Sequence, residues 1–206
     1  MYTNIDPEEG INILQQYITT YSSEMKEKVN IELICELTNL VMSNNIFQFG
    51  GTWLHQKIGT AMGTPCTCIY ATIFFAWFEC QYILTKYKQN LMLYIRQIND
   101  IFGIWIDDPT NLNSWNEFKQ DFNKQYKLEW NTEELDTTVN FLDLTIIIDK
   151  QGKLTYQTFQ KPMNKFLYIP GNSSHPPEIM KSLIHGLIQT YYRQNKTLVT
   201  FNKNVN

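Results

Sequence analysis

Residues 94–105 have the sequence Tyr94-Ile95-Arg96-Gln97-Ile98-Asn99-Asp100-Ile101-Phe102-Gly103-Ile104-Trp105. Apolar runs flank a polar pair, Asn99-Asp100, in the middle of this stretch. Because Asn and Asp tolerate the left-handed backbone of tight turns, the pattern predicts two antiparallel strands joined by a hairpin turn at this pair. We therefore expect Asp100 to project from the tip of a rigid sheet.

A long apolar helix is predicted directly before this hairpin. It follows a segment punctuated by Gly and Pro, Gly59-Thr60-Ala61-Met62-Gly63-Thr64-Pro65, and extends over about 65–86. A membrane span needs about 20 apolar residues. Polar side chains interrupt the apolar run at 66–77, and Glu79 ends it. The sequence therefore predicts a buried helix and no association with a membrane.

The remaining patterns predict a mixture of helices and strands. Helices are predicted over about 7–21, 30–43, 112–126 and 178–195, and the second is expected to pack on the sheet. Strands are predicted at 127–130, 139–148 and 153–160, with a hairpin at 46–58 that turns at Gly50-Gly51. The residues around Tyr2 are expected to end a strand. This order favours an α+β fold with an antiparallel sheet backed by helices.

The composition is that of a globular and slightly acidic chain. Of the 206 residues, 43% are hydrophobic and 18% are charged, which excludes a disordered chain and suits one domain with a sizeable core. The chain has 17 Lys and Arg residues against 20 Asp and Glu residues, for a net charge of -3. Since the neutralisation of phosphates by Lys and Arg supplies much of the affinity for nucleic acids, this charge balance disfavours strong electrostatic binding of a nucleic acid.

No cluster of cysteines or histidines predicts a metal or nucleophilic site. Four cysteines show no pairing framework: Cys35, Cys66, Cys68 and Cys80. We expect reduced thiols that pack as small core residues in an intracellular protein. Three histidines are widely separated: His55, His175 and His185. The adjacent carboxylates in Asp107-Asp108-Pro109 are interpreted as a turn that ends a strand, because neighbouring strand residues point to opposite faces.

Several segments, which occur in the same order as in the family, together resemble a reverse transcriptase of the Penelope-like retroelement branch. The matching segments are Tyr2-Thr3-Asn4-Ile5, Glu9-Gly10-Ile11, Gly59 to Pro65, Ala71, Phe78-Glu79, Ile98 to Trp105, Phe141-Leu142-Asp143-Leu144, Lys161-Pro162 and Ser174-His175-Pro176. They are spread over nearly the whole chain. The resemblance implies one reverse-transcriptase-like domain over 1–206, with a polymerase palm over about 1–160, a region leading to the thumb over about 161–206, and incomplete fingers and thumb.

The same resemblance implies a function and a set of site residues. The activity would be RNA-directed DNA synthesis with an RNA template, a DNA primer, dNTP and Mg2+. Asp100 would hold metal and act in catalysis together with Asn99. Gly59, Met62 and Gly63 would face the nucleotide or template, although Gly and Pro in such a segment equally indicate a plain turn before a helix. Asp143 would lie on the primer side, with a role in a turn or at a sheet edge equally open.

Two departures from the family pattern predict impaired catalysis. Family members carry Tyr-x-Asp-Asp at the hairpin turn, whereas this chain has Gln97 and Asn99 in place of the tyrosine and the first aspartate. The other catalytic aspartate of the family would lie upstream of Met1. Nucleotidyl transfer needs several carboxylates to hold two metal ions about 4 Å apart. With Asp100 as the remaining carboxylate, the missing ligand would have to come from an N-terminal segment or a partner chain.

Two other interpretations stay open from the sequence. The chain could be a non-catalytic module that binds nucleic acid or protein, or a decayed fragment of an element. In each case we expect an intracellular protein of the nucleus or cytoplasm.

Overall fold

The computed structural model describes residues 2–25, 28–61, 63–126, 130–132, 134–163, 168–170 and 172–205. The fold mixes helices with small antiparallel sheets, as the predicted α+β class requires. The described strands form three separate sheets of two, two and three strands rather than the single sheet that we expected. By its internal contacts the chain divides into two units, Met1–Glu133 and Glu134–Asn206.

The first two helices of unit 1 confirm the prediction. Helix α1 spans Pro7–Tyr21 and is capped by Asp6, whose carboxylate accepts bonds from the Glu8 and Glu9 amides at 3.0 Å. Helix α2 spans Ile31–Ser43. It packs mainly against α1 and not on a sheet as predicted, because its buried residues join the hydrophobic cluster that α1 lines.

The chain then forms the predicted glycine hairpin. Strands β1 (Ile46–Phe49) and β2 (Thr52–His55) are antiparallel and are joined by Gly50 and Gly51, whose φ angles are 57° and 81°. Positive φ at both turn residues is the geometry that favours glycine in a two-residue hairpin loop. The structure confirms this hairpin.

The long apolar helix is present but is interrupted by a π turn. It consists of α3 (Thr67–Phe78), a π-helical turn (Glu79–Ile83) and α4 (Leu84–Lys86). By length and composition alone the helical stretch could cross a membrane. One face of this helix, including Ala71 and Phe75, is almost completely buried against α1 and the rest of the cluster, whereas Ile69 and Tyr82 are largely exposed.

Strands β3 (Leu91–Gln97) and β4 (Asp100–Trp105) form the second hairpin. Gln97 pairs with Asp100, so the turn consists of Ile98 and Asn99. The turn therefore lies one residue earlier than predicted, because Ile98 takes the left-handed position at φ 54° and Asp100 already belongs to the strand.

Helix α5 (Ser114–Tyr126) closes the core of unit 1. Phe118 and Phe122 are buried on one helix face, as their spacing predicts. The Phe118 ring lies 5.2 Å from the Trp105 ring at the end of β4. Aromatic packing thus joins α5 to the hairpin that carries Asp100. The strand predicted at 127–130 falls mostly on 127–129, outside the described residues.

Unit 2 contains a three-stranded antiparallel sheet and two helices. The sheet is formed by β5 (Thr138–Phe141), β6 (Leu144–Ile148) and β7 (Leu154–Thr158), and the helices are α6 (Pro177–Arg193) and α7 (Leu198–Val205). The single strand predicted at 139–148 is wrong, because the chain reverses at Leu142 with φ 53°. Helix α6 confirms the prediction. The short α7, which was not predicted, follows it.

The prediction of a strand end around Tyr2 is also wrong. Residues Tyr2–Asn4 form a 3-10 turn. The carbonyls of Tyr2 and Ile5 accept bonds of 2.8 Å from the amides of Thr60 and Gly59. The N-terminal segment is thus held by the loop before α3 and not by a strand.

Candidate functional site

The tip of the β3–β4 hairpin presents the two residues that the sequence singles out. Asn99 lies in the turn and Asp100 is the first residue of β4, opposite Gln97. Both side chains are exposed to solvent. The carboxylate of Asp100 is therefore accessible to a ligand, as the sequence predicts.

A buried ion pair lies beneath this tip. Arg96 of β3 donates from Nε to Oε1 of Glu79, the first residue of the π turn, at 2.6 Å. The hydroxyl of Tyr94 donates to the same oxygen at 2.7 Å. The side chains of Arg96 and Glu79 are only 7% and 6% exposed. The pair thus joins the hairpin to the long helix in a site that water hardly reaches.

Burial sets the acidity of Glu79. Desolvation raises the pKa of the Glu79 carboxyl above its usual value, although the Arg96 charge and the hydrogen bonds from Tyr94 and Arg96 act in the opposite direction. Desolvation is the largest of these effects. Glu79 therefore holds a proton more readily than an exposed glutamate.

Arg96 also reaches two backbone carbonyls. Its Nη2 donates to the carbonyl of Thr72 in α3 at 3.1 Å, and its Nη1 donates to the carbonyl of Ile98 in the turn at 3.4 Å. The planar guanidinium, with its several fixed donors, suits contact with three acceptors at once. One side chain thus connects α3, the π turn and the hairpin tip.

The proposed nucleotide-side glycines have different surroundings. Gly59 has φ 81°, and a Cβ atom there would lie 2.6 Å from Cα of Thr3. This close approach of two backbones explains the glycine without a ligand. Gly63 has φ 96°, and a Cβ atom there would meet nothing within 4 Å. Met62 lies outside the described residues.

Asp143 lies in the turn between β5 and β6 and not within a strand. Its backbone carbonyl accepts a 2.8 Å bond from the amide of Phe159, just beyond β7. Asp143 belongs to unit 2, whereas Asp100 belongs to unit 1. The backbone of Asp143 therefore has a structural role in closing the three-stranded sheet, which was one of the two roles that the sequence left open.

The metal-binding capacity of the hairpin tip is limited. Within the part of the chain that the structure describes, no three His, Cys, Asp or Glu side chains lie together as ligands for a metal ion. Asp100 offers one carboxylate and Asn99 a neutral amide. Because Mg2+ is held chiefly by carboxylates and substrate phosphates, this pair alone makes a weak site.

Three smaller sequence predictions have clear outcomes. All four cysteines are free thiols, but Cys68 and Cys80 are exposed, so the prediction that they pack in the core is wrong for these two. Asp108 accepts bonds from the amide and hydroxyl of Thr110, which confirms the turn after β4. The Thr110 hydroxyl, with the backbone amide beside it, lowers the pKa of Asp108.

No protein-family model matches the chain, and no curated protein matches it.

Sequence reasoning missed the roles of Glu79 and Arg96. The available signal was that each is a single charged residue in an otherwise apolar element: Glu79 ends the apolar helix pattern, and Arg96 lies in strand β3. Because strand residues two apart share a face, Arg96 points to the same side as Tyr94. A lone charge on an inward face predicts a partner, although not which one.

Proposed function

We propose that this chain is the palm region of a reverse transcriptase of the Penelope-like retroelement family, with an impaired two-metal site. The polymerase palm, the Mg2+ ions, the RNA template, the DNA primer and dNTP as substrates, and an intracellular location in the nucleus or cytoplasm are all parts of this proposal. It rests on the family-like segments of the sequence, which occur in order along the chain.

The observation that supports the proposal is the exposed hairpin tip. A two-residue turn delivers Asp100 to the solvent at the first position of β4, and the strands behind it are fixed to a packed helix. A carboxylate at such a tip can reach a metal ion bound to substrate phosphates. In the proposed site Asp100 holds metal, and Asn99 stands where a second carboxylate would make the site stronger.

Primer extension tests the proposed activity. With an RNA template, a DNA primer, dNTP and Mg2+, the 206-residue chain is expected to incorporate no nucleotide. A chain extended upstream of Met1 to include the family's other aspartate, and carrying Asn99→Asp, is expected to gain metal-dependent incorporation. The same extended chain with Asn99→Asp and Asp100→Asn is the matched control and is expected to stay inactive.

The outcomes separate the possibilities. Incorporation by the native chain would contradict the impaired site, and incorporation that survives Asp100→Asn would contradict the role of Asp100. No gain in the extended Asn99→Asp chain, together with no binding to the primer–template duplex, would overturn the polymerase proposal.

A non-catalytic binding module is the second candidate, since the exposed hairpin tip offers a single carboxylate, Asp100, beside the neutral amide of Asn99. This function predicts binding of a labelled primer–template duplex without extension, even in the extended Asn99→Asp chain. The logarithm of the binding constant should then fall linearly with the logarithm of salt concentration, because phosphate contacts release counterions. Binding that does not depend on salt would contradict this alternative.

A further inference from the structure

We propose that Arg96 is a positioning residue: anchored by Glu79 and Tyr94, it fixes the turn at Ile98 and so the direction in which Asn99 and Asp100 leave the sheet. The inference deepens the proposed function and rests on it for the meaning of that direction. The contacts of Arg96 themselves are independent of any ligand.

The turn needs support because its conformation is unfavourable for its sequence. Ile98 has φ 54°, in the left-handed region that a β-branched residue rarely adopts. Such conformations persist where the surrounding structure over-determines them. The bond from Arg96 Nη1 to the Ile98 carbonyl acts directly on this residue.

Arg96 can fix the turn because other hydrogen bonds fix the position of its guanidinium group. Its Nε is bonded to Glu79 and its Nη2 to the Thr72 carbonyl, so the guanidinium plane is fixed before it contacts Ile98. Glu79 in turn accepts from Tyr94, which lies two residues before Arg96 on the same face of β3. The chain of contacts runs from the helix through the nearly buried side chains of Glu79 and Arg96 to the carbonyl of Ile98, which lies in the exposed turn.

Two features of Glu79 support a role in positioning the hairpin in addition to its packing in the core. A buried ion pair is often no more stabilising than apolar residues of similar volume, so the proposal assigns this pair a geometric role. Glu79 also begins a π turn, a rare element that occurs frequently at functional sites. The π turn and the ion pair together set which part of the helix meets the hairpin.

The first test measures the order of the turn by NMR relaxation on the full chain. In the native protein the backbone order parameters of residues 98–100 are expected to be about 0.85. Arg96→Met is expected to lower them below about 0.6. Lys86→Met, which breaks the exposed Lys86–Asp121 pair in the same unit, is the matched control and should leave the turn unchanged. Arg96→Lys should restore the order only in part, because an ammonium group lacks the planar set of donors.

A second variant protects the test against unfolding. The double variant Glu79→Leu/Arg96→Met replaces the buried pair by apolar side chains and is expected to stay folded. Its turn should nevertheless lose order as in Arg96→Met. A folded double variant with an unchanged turn would overturn the proposal.

A metal titration separates this inference from the proposed function. In the extended Asn99→Asp chain, Mn2+ should broaden the Asp100 resonances, and adding Arg96→Met should weaken Mn2+ binding by about tenfold, the expected effect of losing one hydrogen bond from a charged group. If the extended Asn99→Asp chain shows no Mn2+ binding, the metal site of the proposed function fails, while the order parameters still decide the role of Arg96. Equal Mn2+ affinity with and without Arg96→Met would contradict the positioning role.

Discussion

Gly59 shows how a residue singled out for ligand binding can be required by packing alone. Its positive φ and its contact with the Thr3 backbone leave no room for a Cβ atom. Gly63 has a similar φ and open space around it. At Gly63 glycine is favoured by the positive φ alone, whereas at Gly59 it is also required by the lack of space for a Cβ atom.

Alanine at these two positions should destabilise the protein unequally. Gly63→Ala is expected to lower the free energy of unfolding by about 1–2 kcal/mol, the cost of a left-handed non-glycine residue. Gly59→Ala should cost about 1–3 kcal/mol more, because the new methyl group meets backbone atoms. Urea denaturation of both variants measures the difference. Equal losses would show that the Thr3 segment moves aside freely.

Two carboxylates should give opposite dependences of stability on pH. The folded-state pKa of Glu79 is raised, mainly by desolvation, whereas that of Asp121 is lowered, first by its hydrogen bond from Lys86 and then by that from Tyr87. The stability from protonated Glu79 is fully present below the unfolded pKa and is lost as the pH rises through the folded pKa. The stability from ionised Asp121 is present above the unfolded pKa and is lost as the pH falls through the folded pKa.

Thermal denaturation between about pH 3 and pH 7 checks both signs. The advantage of the native chain over Glu79→Gln is expected to shrink as the pH rises, whereas its advantage over Asp121→Asn should shrink as the pH falls. Parallel curves for the native chain and Glu79→Gln would show that the Arg96 charge balances the desolvation of Glu79, and a native advantage that grows as the pH rises would show that the ion pair outweighs it.

Helix α5 stabilises unit 1 through its aromatic face. Phe118 is 7% exposed and contacts the rings of Tyr87, Trp105 and Trp115. Phe118→Ala is expected to cost about 3–5 kcal/mol, as is typical of a buried Phe. Phe49 of β1 is 76% exposed, so Phe49→Ala should change stability by no more than about 0.5 kcal/mol. A large loss for Phe49→Ala in chemical denaturation would mean that another surface covers β1.

The elements show where sequence patterns suffice and where they fail. The Asp6 cap, the Gly50-Gly51 turn and the spacing of Phe118 and Phe122 are local signals, and the structure has the corresponding helix or hairpin at each. The hairpin at 138–148 was missed because Leu142 adopts a left-handed turn without Gly, Asn or Asp. The 3-10 turn at Tyr2–Asn4 depends on bonds to residues nearly sixty positions away, which no local pattern reveals.

The candidate site divides in the same way. The exposed tip with Asn99 and Asp100 follows from the two apolar runs that flank this polar pair, although the turn lies one residue earlier than they predict. The Glu79–Arg96 pair does not, because its geometry needs the π turn to face β3, and a π turn has no simple sequence signature. Whether the three sheets belong to a polymerase palm stays a prediction.

Helix α2 carries an exposed apolar stripe that could affect how whole molecules associate. Leu33, Leu37 and Leu40 recur at helical spacing and are each at least half exposed. Large apolar patches favour association. Leu37→Lys and Leu37→Glu, which change charge in opposite senses, are both expected to raise the concentration at which light scattering detects association. Neither should lower the melting temperature markedly, because Leu37 is 54% exposed. A loss of several degrees in both variants would show that Leu37 packs inside the folded protein.

The π turn in the long helix affects how a homologous sequence should be aligned with this chain. A π turn contains one residue more than an α-helical segment of the same length. In an α-helix one residue corresponds to a rotation of about 100°. A homologue that lacks one position within 79–83 could keep α3 against α1 and the following turn against α5 by reverting to regular winding. A one-residue gap at this place should therefore be accepted inside the helix and not moved into the loop before α3, where it would misalign Glu79, the partner of Arg96, by one residue.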